Sequence, residues 1–325
     1  MPLLSLLVTY LASVWLTAAQ NPAAAPPSAA PPTSESFVVG VLRRDGNVIP
    51  FASFNGKDWD ADWPAGLRGI ELPISLDAVP AKWWGKAGMP SETALWVNGA
   101  RKSSLKLGRP TMMPIACSTR LLVTSDYRAT ELLPPVFVQP YPKDGLVASD
   151  NPDVGAIEDV TAADARAKIA TLLLDPFDKT EQRAANEFSE WTHPVKREDR
   201  RKIPIEIEAL YRAPMEEEGW SAYFVEAVKK YAPAPEDRGC GLVTSANGWV
   251  LVGPSKEWVR IAGRITYCDR KGVSFFLPLG LIRANGHLYW VSQSSGYDHE
   301  FYNVTRPTSK DIRYEVSYPV AVCGR

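Results

Sequence analysis

Asp298-His299-Glu300, reached through Ser294-Ser295-Gly296, is the sharpest local cluster of titratable side chains in the sequence. A histidine beside a carboxylate titrates near neutrality and can serve as a general base. Neighbouring residues in a strand point to opposite faces, however, so the default for this trio is a surface loop. Glu206 and Glu208 stand two apart in an alternating run, which puts both on one face of a strand. Two carboxyls several ångströms apart are what glycoside hydrolysis uses. The same spacing also describes the wet face of a half-buried strand. Only 3 histidines are present, His193, His287 and His299, which leaves a metal or general-base site few places to live. His193 precedes Pro194 in a polar stretch and His287 follows Asn285-Gly286, so both are expected at the surface. Ser294 and Ser295 lack the Gly-x-Ser-x-Gly setting of a nucleophile elbow. No phosphate-cradling loop, dinucleotide fingerprint or calcium loop is written in the chain, and the reading assigns no cofactor and no metal.

Ten of the 11 tryptophans lie beyond the first 19 residues. Trp83-Trp84, between Lys82 and Gly85 and bracketed by Pro80 and Pro90, is the best candidate for an exposed aromatic surface. Such rings stack on sugars or anchor protein interfaces, because each offers a large flat apolar face with a polar tip. Core packing accounts for most of the other tryptophans. The 4 cysteines are widely and irregularly spaced, with no Cys-x-x-Cys, which disfavours zinc. Of the three connectivities they allow, the preferred one joins Cys240 with Cys268 and Cys117 with Cys323; four buried free thiols are the alternative.

Disulfides require an oxidising compartment, and the N-terminus points to one. Residues 1–19 carry no charged side chain; the apolar run from Leu3 to Leu16 is closed by Thr17-Ala18-Ala19. The run is short for a bilayer span, which needs about 20 apolar residues, and small residues stand where a signal peptidase cuts. No Lys or Arg precedes it, so an uncleaved anchor is the alternative, and a membrane is a partner only through such a segment. Residues 20–36, rich in Ala and Pro, read as an extended linker. With 36 basic and 37 acidic residues the formal charge is −1. That balance excludes nucleic acid as a natural partner.

The elements that must position these groups are mostly strands. Phe37 to Phe51 reads as a hairpin turning at Asp45-Gly46, with Pro50 placing its second strand at an edge. Asn285-Gly286 predicts a second hairpin, and the two segments echo each other because they obey the same turn chemistry. Thr161 is expected to cap a helix from Ala162 to about Leu174, which Pro176 ends, with a second helix from Glu181 to Trp191. The all-charged run from Lys196 to Lys202 reads as a solvated turn. Ile203 to Tyr211 alternates as a strand. Met215 to Tyr231 is expected to be a helix, with three glutamates at its start, two lysines at its end and a stripe of Trp220, Phe224, Val225 and Val228. From Trp249 onward the runs are β-type.

The expected fold is α+β and predominantly β. An N-terminal Trp- and Pro-rich β domain (37–150) precedes a domain of helices packed on an antiparallel sheet (151–325), with the boundary near Asn151. The function expected from export, linker and tryptophan content is a non-catalytic cell-envelope or extracellular protein that binds a glycan or another envelope protein. The alternative is an extracytoplasmic hydrolase using Asp298, His299 and Glu300, or Glu206 and Glu208.

Overall fold

A strand of alternating large apolar residues buried on both faces recurs through this chain, and stacked antiparallel sheets follow from it. The computed structural model describes residues 36–61, 93–115, 118–129, 138–187, 192–232 and 241–323. Among these the chain is mostly β. The first sheet holds strands β1 (Phe37–Leu42), β2 (Asn47–Phe54), β3 (Trp59–Asp60), β4 (Thr93–Asn98), β5 (Arg101–Ile115), β6 (Ser118–Ser125) and β7 (Gly145–Ala148), in the order β1-β7-β4-β5-β6-β2-β3. Because β1 also pairs with β2, six of these strands close into a ring. β2 is therefore paired on both sides rather than being an edge. Pro50 fits because β6 reaches only Asn47 and Val48, and β3 only Ser53 and Phe54, so nothing on that side asks Pro50 for an N–H.

The remaining strands are β8 (Asp153–Gly155), β9 (Glu158–Asp159), β10 (Glu206–Pro214), β11 (Ser221–Lys230), β12 (Leu242–Val252), β13 (Glu257–Tyr267), β14 (Phe275–Ala284), β15 (His287–Ser295), β16 (His299–Thr308) and β17 (Asp311–Val322). They form a second sheet, β17-β16-β15-β14-β8, and a third, β13-β12-β11-β10-β9. The second sheet is covered on both faces. Tyr289 and Val291 of β15 join Phe51, Tyr302 and Tyr318 in a core shared with the first sheet, while Leu288 and Trp290 face Phe224 and Trp249 of the third. Phe51 packs on Tyr302 with ring centroids 5.4 Å apart, and Trp59 on Tyr289 at 5.2 Å. Residues on both sides of Asn151 thus share one core, and Thr33 to Arg325 group as one unit.

The outer face of the third sheet carries helix α1 (Ala163–Asn186). Its stripe Ile169, Leu173 and Phe177 packs with Leu210, Val225 and Val250. Three expectations change here. The helix is continuous through Pro176, because the stripe on both sides of the proline is held by the same sheet. Ala162, not Thr161, is the capping residue, and no side chain caps the helix. Met215 to Tyr231 is not a helix: a turn precedes β11, whose Ala222 and Phe224 face one core while Val225 and Ala227 face the other. Burial on both faces imitated a helical stripe, and pairing with β10 and β12 along the whole strand decided the matter.

The two hairpins also differ. Asn285 and Gly286 both have positive φ, 48° and 74°, and make a two-residue primed turn. At Asp45-Gly46 only Gly46 does; the loop spans Arg43 to Gly46, and the Asp45 carboxylate accepts from Arg43 and from the Asn47 amide.

The charged run 196–202 is not a solvated turn. It contains the short helix α2 (Arg197–Arg200), and Arg200 is buried against Glu181, Nε to Oε2 3.2 Å. Glu181, fully buried, is also 3.6 Å from Lys229 Nζ and accepts from the Tyr231 hydroxyl. Arg197 and Arg201 grip Asp178, holding its carboxyl well below the usual range through those hydrogen bonds. His193, expected at the surface, is buried on the Tyr231 ring at 4.7 Å, and burial lowers its pKa.

Removing the Glu181 carboxylate leaves Arg200 and Lys229 buried without their counter-charge, a loss of about 3–5 kcal/mol. Glu181→Ala is expected to lower the urea midpoint accordingly at an unchanged slope. A midpoint equal to that of the wild type would show that the apolar stripe alone holds the helix.

Candidate functional site

Where the facing residues of the second and third sheets are apolar, the sheets touch; where they turn polar, a cleft opens. Along β15 the residues facing the third sheet run Leu288, Trp290, Ser292 and Ser294, changing from apolar to hydroxyl halfway. The register sets Asn303 of β16 opposite Ser292 and Thr305 opposite Trp290. Across the gap β12 presents Asn247 and Trp249, and β13 presents Arg260 and Ala262. The resulting cleft has a volume of about 660 Å³. That lies within the roughly 300–1,000 Å³ common for small-molecule sites.

Its floor is aromatic and its walls are hydroxyl and amide. Phe224 and Phe276 stack at 3.8 Å, and Trp249 meets Trp290 edge-on at 4.9 Å. Trp249 Nε1 lies 3.4 Å from the hydroxyl of Tyr314, whose ring is 58 % exposed at the mouth. The Asn303 amide donates to Ser294 Oγ at 3.1 Å. Thr305, fully buried, has a side-chain oxygen with no hydrogen-bond partner. A buried hydroxyl left unsatisfied costs about 1–3 kcal/mol, so the position invites a ligand group. From α1 come Lys179 and Arg183, both exposed. Among the described residues lining the cleft there is no carboxylate and no imidazole. The Asn303-Val304-Thr305 segment, which has the form of a glycosylation acceptor, is buried strand instead.

A smaller pocket of about 220 Å³ adjoins it, sharing Asn247, Ala262, Ser274 and Phe275. Here Glu226 accepts the Phe276 N–H at 2.5 Å. Burial pushes the Glu226 carboxyl up to about 7 against the pull of that hydrogen bond, and the charge of Glu208 adds to the rise. Helix α1 approaches this region closely because Gly263 has no side chain: a Cβ there would come within 2.6 Å of the Thr180 methyl.

The expected site residues are scattered. His299 and Asp298 do meet, Nδ1 to Oδ1 2.9 Å, and the other ring nitrogen lies 3.3 Å from Ser274 Oγ at the edge of both pockets. That is the order of a nucleophile, a base and a group orienting the base. Glu300 does not join them. Strand alternation sends it to the other face, where it is buried against Lys143 at 2.9 Å. Glu206 and Glu208 each have a separate cationic partner: Lys230 holds the first and Arg270 the second. His287 is half-buried rather than exposed, bonded to Glu216 at 3.0 Å. Trp83 and Trp84 lie outside the described residues, as do Cys117 and Cys240. Cys268 and Cys323 each belong to a disulfide.

Sequence reading missed the cleft, because its polar lining is spread over β12, β15, β16 and Ser274 ahead of β14. The available signal was an apolar strand ending in Ser292-Gln293-Ser294-Ser295. Among the described residues no helix is long and apolar enough to cross a membrane, and no cluster of His, Cys, Asp or Glu suits a metal. Comparison of the chain with protein-family models, with curated proteins and with solved structures returns no match.

The raised pKa of Glu226 has a definite consequence for stability. Below its ordinary value of 4.5 the carboxyl is protonated folded or unfolded. As pH rises through about 7 the folded chain is penalised for a charge that the unfolded chain carries freely, so its stability falls across this window. Glu226→Gln is expected to remove that fall, gaining on the wild type between pH 5 and pH 8 in thermal melts. Parallel curves for the two proteins would contradict the assignment.

Proposed function

We propose that this chain is an exported, non-catalytic binding protein of the cell envelope or extracellular space that holds a glycan in the cleft between its second and third sheets. The observation that carries this reading is the lining itself: Ser292, Asn303 and the unpartnered Thr305 on one wall, with Trp249 and Tyr314 beside them. Aromatic faces and neutral hydrogen-bonding groups together match a sugar, which is apolar on its ring faces and polar at its rim. Among the described lining residues there is no pair of carboxyls of the kind that cleavage of a glycosidic bond uses, which favours binding over hydrolysis.

Export rests on the uncharged leader 1–19 and the Ala/Pro linker 20–36. The pairings Cys240 with Cys268 and Cys117 with Cys323 fit an oxidising compartment. A second reading, an extracytoplasmic hydrolase, is favoured by one observation, the Ser274–His299–Asp298 array. On that reading Ser274→Ala and His299→Ala each abolish an ester-hydrolysing activity that the wild type shows.

Thr305→Val tests the main reading, because it keeps the shape and removes only an unsatisfied hydroxyl. The variant is expected to melt at or above the wild-type temperature. In co-sedimentation of residues 20–325 with purified cell-wall polymer it is expected to lose at least about tenfold in affinity, equivalent to about 1.4 kcal/mol. Unchanged pelleting of the variant, or none by the wild type, would refute a glycan in this cleft.

A further inference from the structure

Resting on the glycan reading just given, we infer that the cleft selects an acidic glycan, one whose uronic-acid carboxylate is held at the mouth by Lys179 and Arg183. The charge at the mouth is one-sided. Lys179, Arg183 and Arg260 contribute to the lining, and no described lining residue is acidic. Arg260 has a neighbour outside the lining, Asp311 at 3.7 Å. Lys179 and Arg183 have no ion pair among the described residues, although Asp175 and Glu187 stand one turn to either side of them on the same helix.

The contrast with the adjacent cations is direct. Arg197 and Arg201 are engaged by Asp178, and Arg200 and Lys229 by Glu181. Lys179 and Arg183 sit four residues apart, so their side chains share a helix face, and like charges at that spacing repel. An anion between them relieves that repulsion. The planar guanidinium of Arg183 offers a two-pronged match to a carboxylate, and the Lys179 ammonium adds a point charge.

A second, independent feature ties this cationic mouth to a ligand inside. Thr305, fully buried, lines the same cleft with its hydroxyl unpartnered. A sugar whose hydroxyl meets Thr305 and whose ring lies on Tyr314 can turn its carboxylate toward α1. The two ends of the cleft therefore divide the labour: the inner wall recognises sugar hydroxyls and the helix recognises charge.

The experiment uses residues 20–325 and a panel of glucuronate-, galacturonate- and mannuronate-containing oligosaccharides, each paired with its carboxyl-reduced neutral form, with a sulfated oligosaccharide as a further arm. Calorimetric titration of the wild type is expected to show at least one acidic member binding about tenfold or more tighter than its reduced form, with the gap narrowing as salt rises. Lys179→Gln/Arg183→Gln, two exposed positions, is expected to close that gap, with a melting temperature no lower than that of the wild type. Thr305→Val is expected to weaken both forms alike. Equal binding of acidic and neutral forms by the wild type overturns charge selection and leaves the glycan reading standing. Preference for the sulfated arm over every uronate overturns the carboxylate assignment, and an acid preference that survives the double variant overturns the role of α1. Binding of no member overturns both readings.

Discussion

The burial of one sheet on both faces governs the rest of this molecule. Strands β14 to β17 must satisfy the first sheet with one set of alternating residues and the third with the other. A slip of one residue would send Tyr289 and Val291 to the wrong core and Leu288 and Trp290 to the opposite one. Register is therefore tightly specified. The same alternation dictates where a cavity can exist: a strand whose inward face passes from Trp290 to Ser292 and Ser294 stops offering apolar surface to its neighbour, and the layers part.

The helix matters to that cleft through a buried polar anchor. Glu181 ties α1 to the third sheet through Lys229 and Tyr231 and to α2 through Arg200. The anchor places Lys179 and Arg183, a few residues away, over the opening. Buried charges of this kind are rarely the cheapest way to hold a helix, since apolar packing serves as well and avoids desolvation. Their geometric specificity is what suits them here, because they fix the helix along its axis, whereas an apolar stripe tolerates sliding.

Much of the architecture was legible in the residues. Period-two runs and an Asn-Gly turn identified the strands and the β14–β15 hairpin, and Ile203 to Tyr211 alternated as β10 does. The failures share a cause. β11 looked helical because a strand covered on both faces loses its polar alternation, and a chance spacing of Trp220, Phe224, Val225 and Val228 filled the gap. The run 196–202 looked solvated because charge normally seeks water. It lies against α1 because Asp178 and Glu181 wait there, a complementarity between segments about 20 residues apart that no local pattern carries.

Local sequence by itself determined the strand-rich character, the alternation of faces and the turn at Asn285-Gly286, because each depends on residues within a few positions of one another. Tertiary structure alone decided which chemistry-bearing groups meet. It joined His299 to Ser274, 25 positions away, parted Glu300 from both, and assembled Asn247, Ser292, Asn303 and Thr305 into one cleft. The reason is that side chains on different strands become neighbours only through sheet order and register, which the burial of the whole middle sheet sets and no single segment contains.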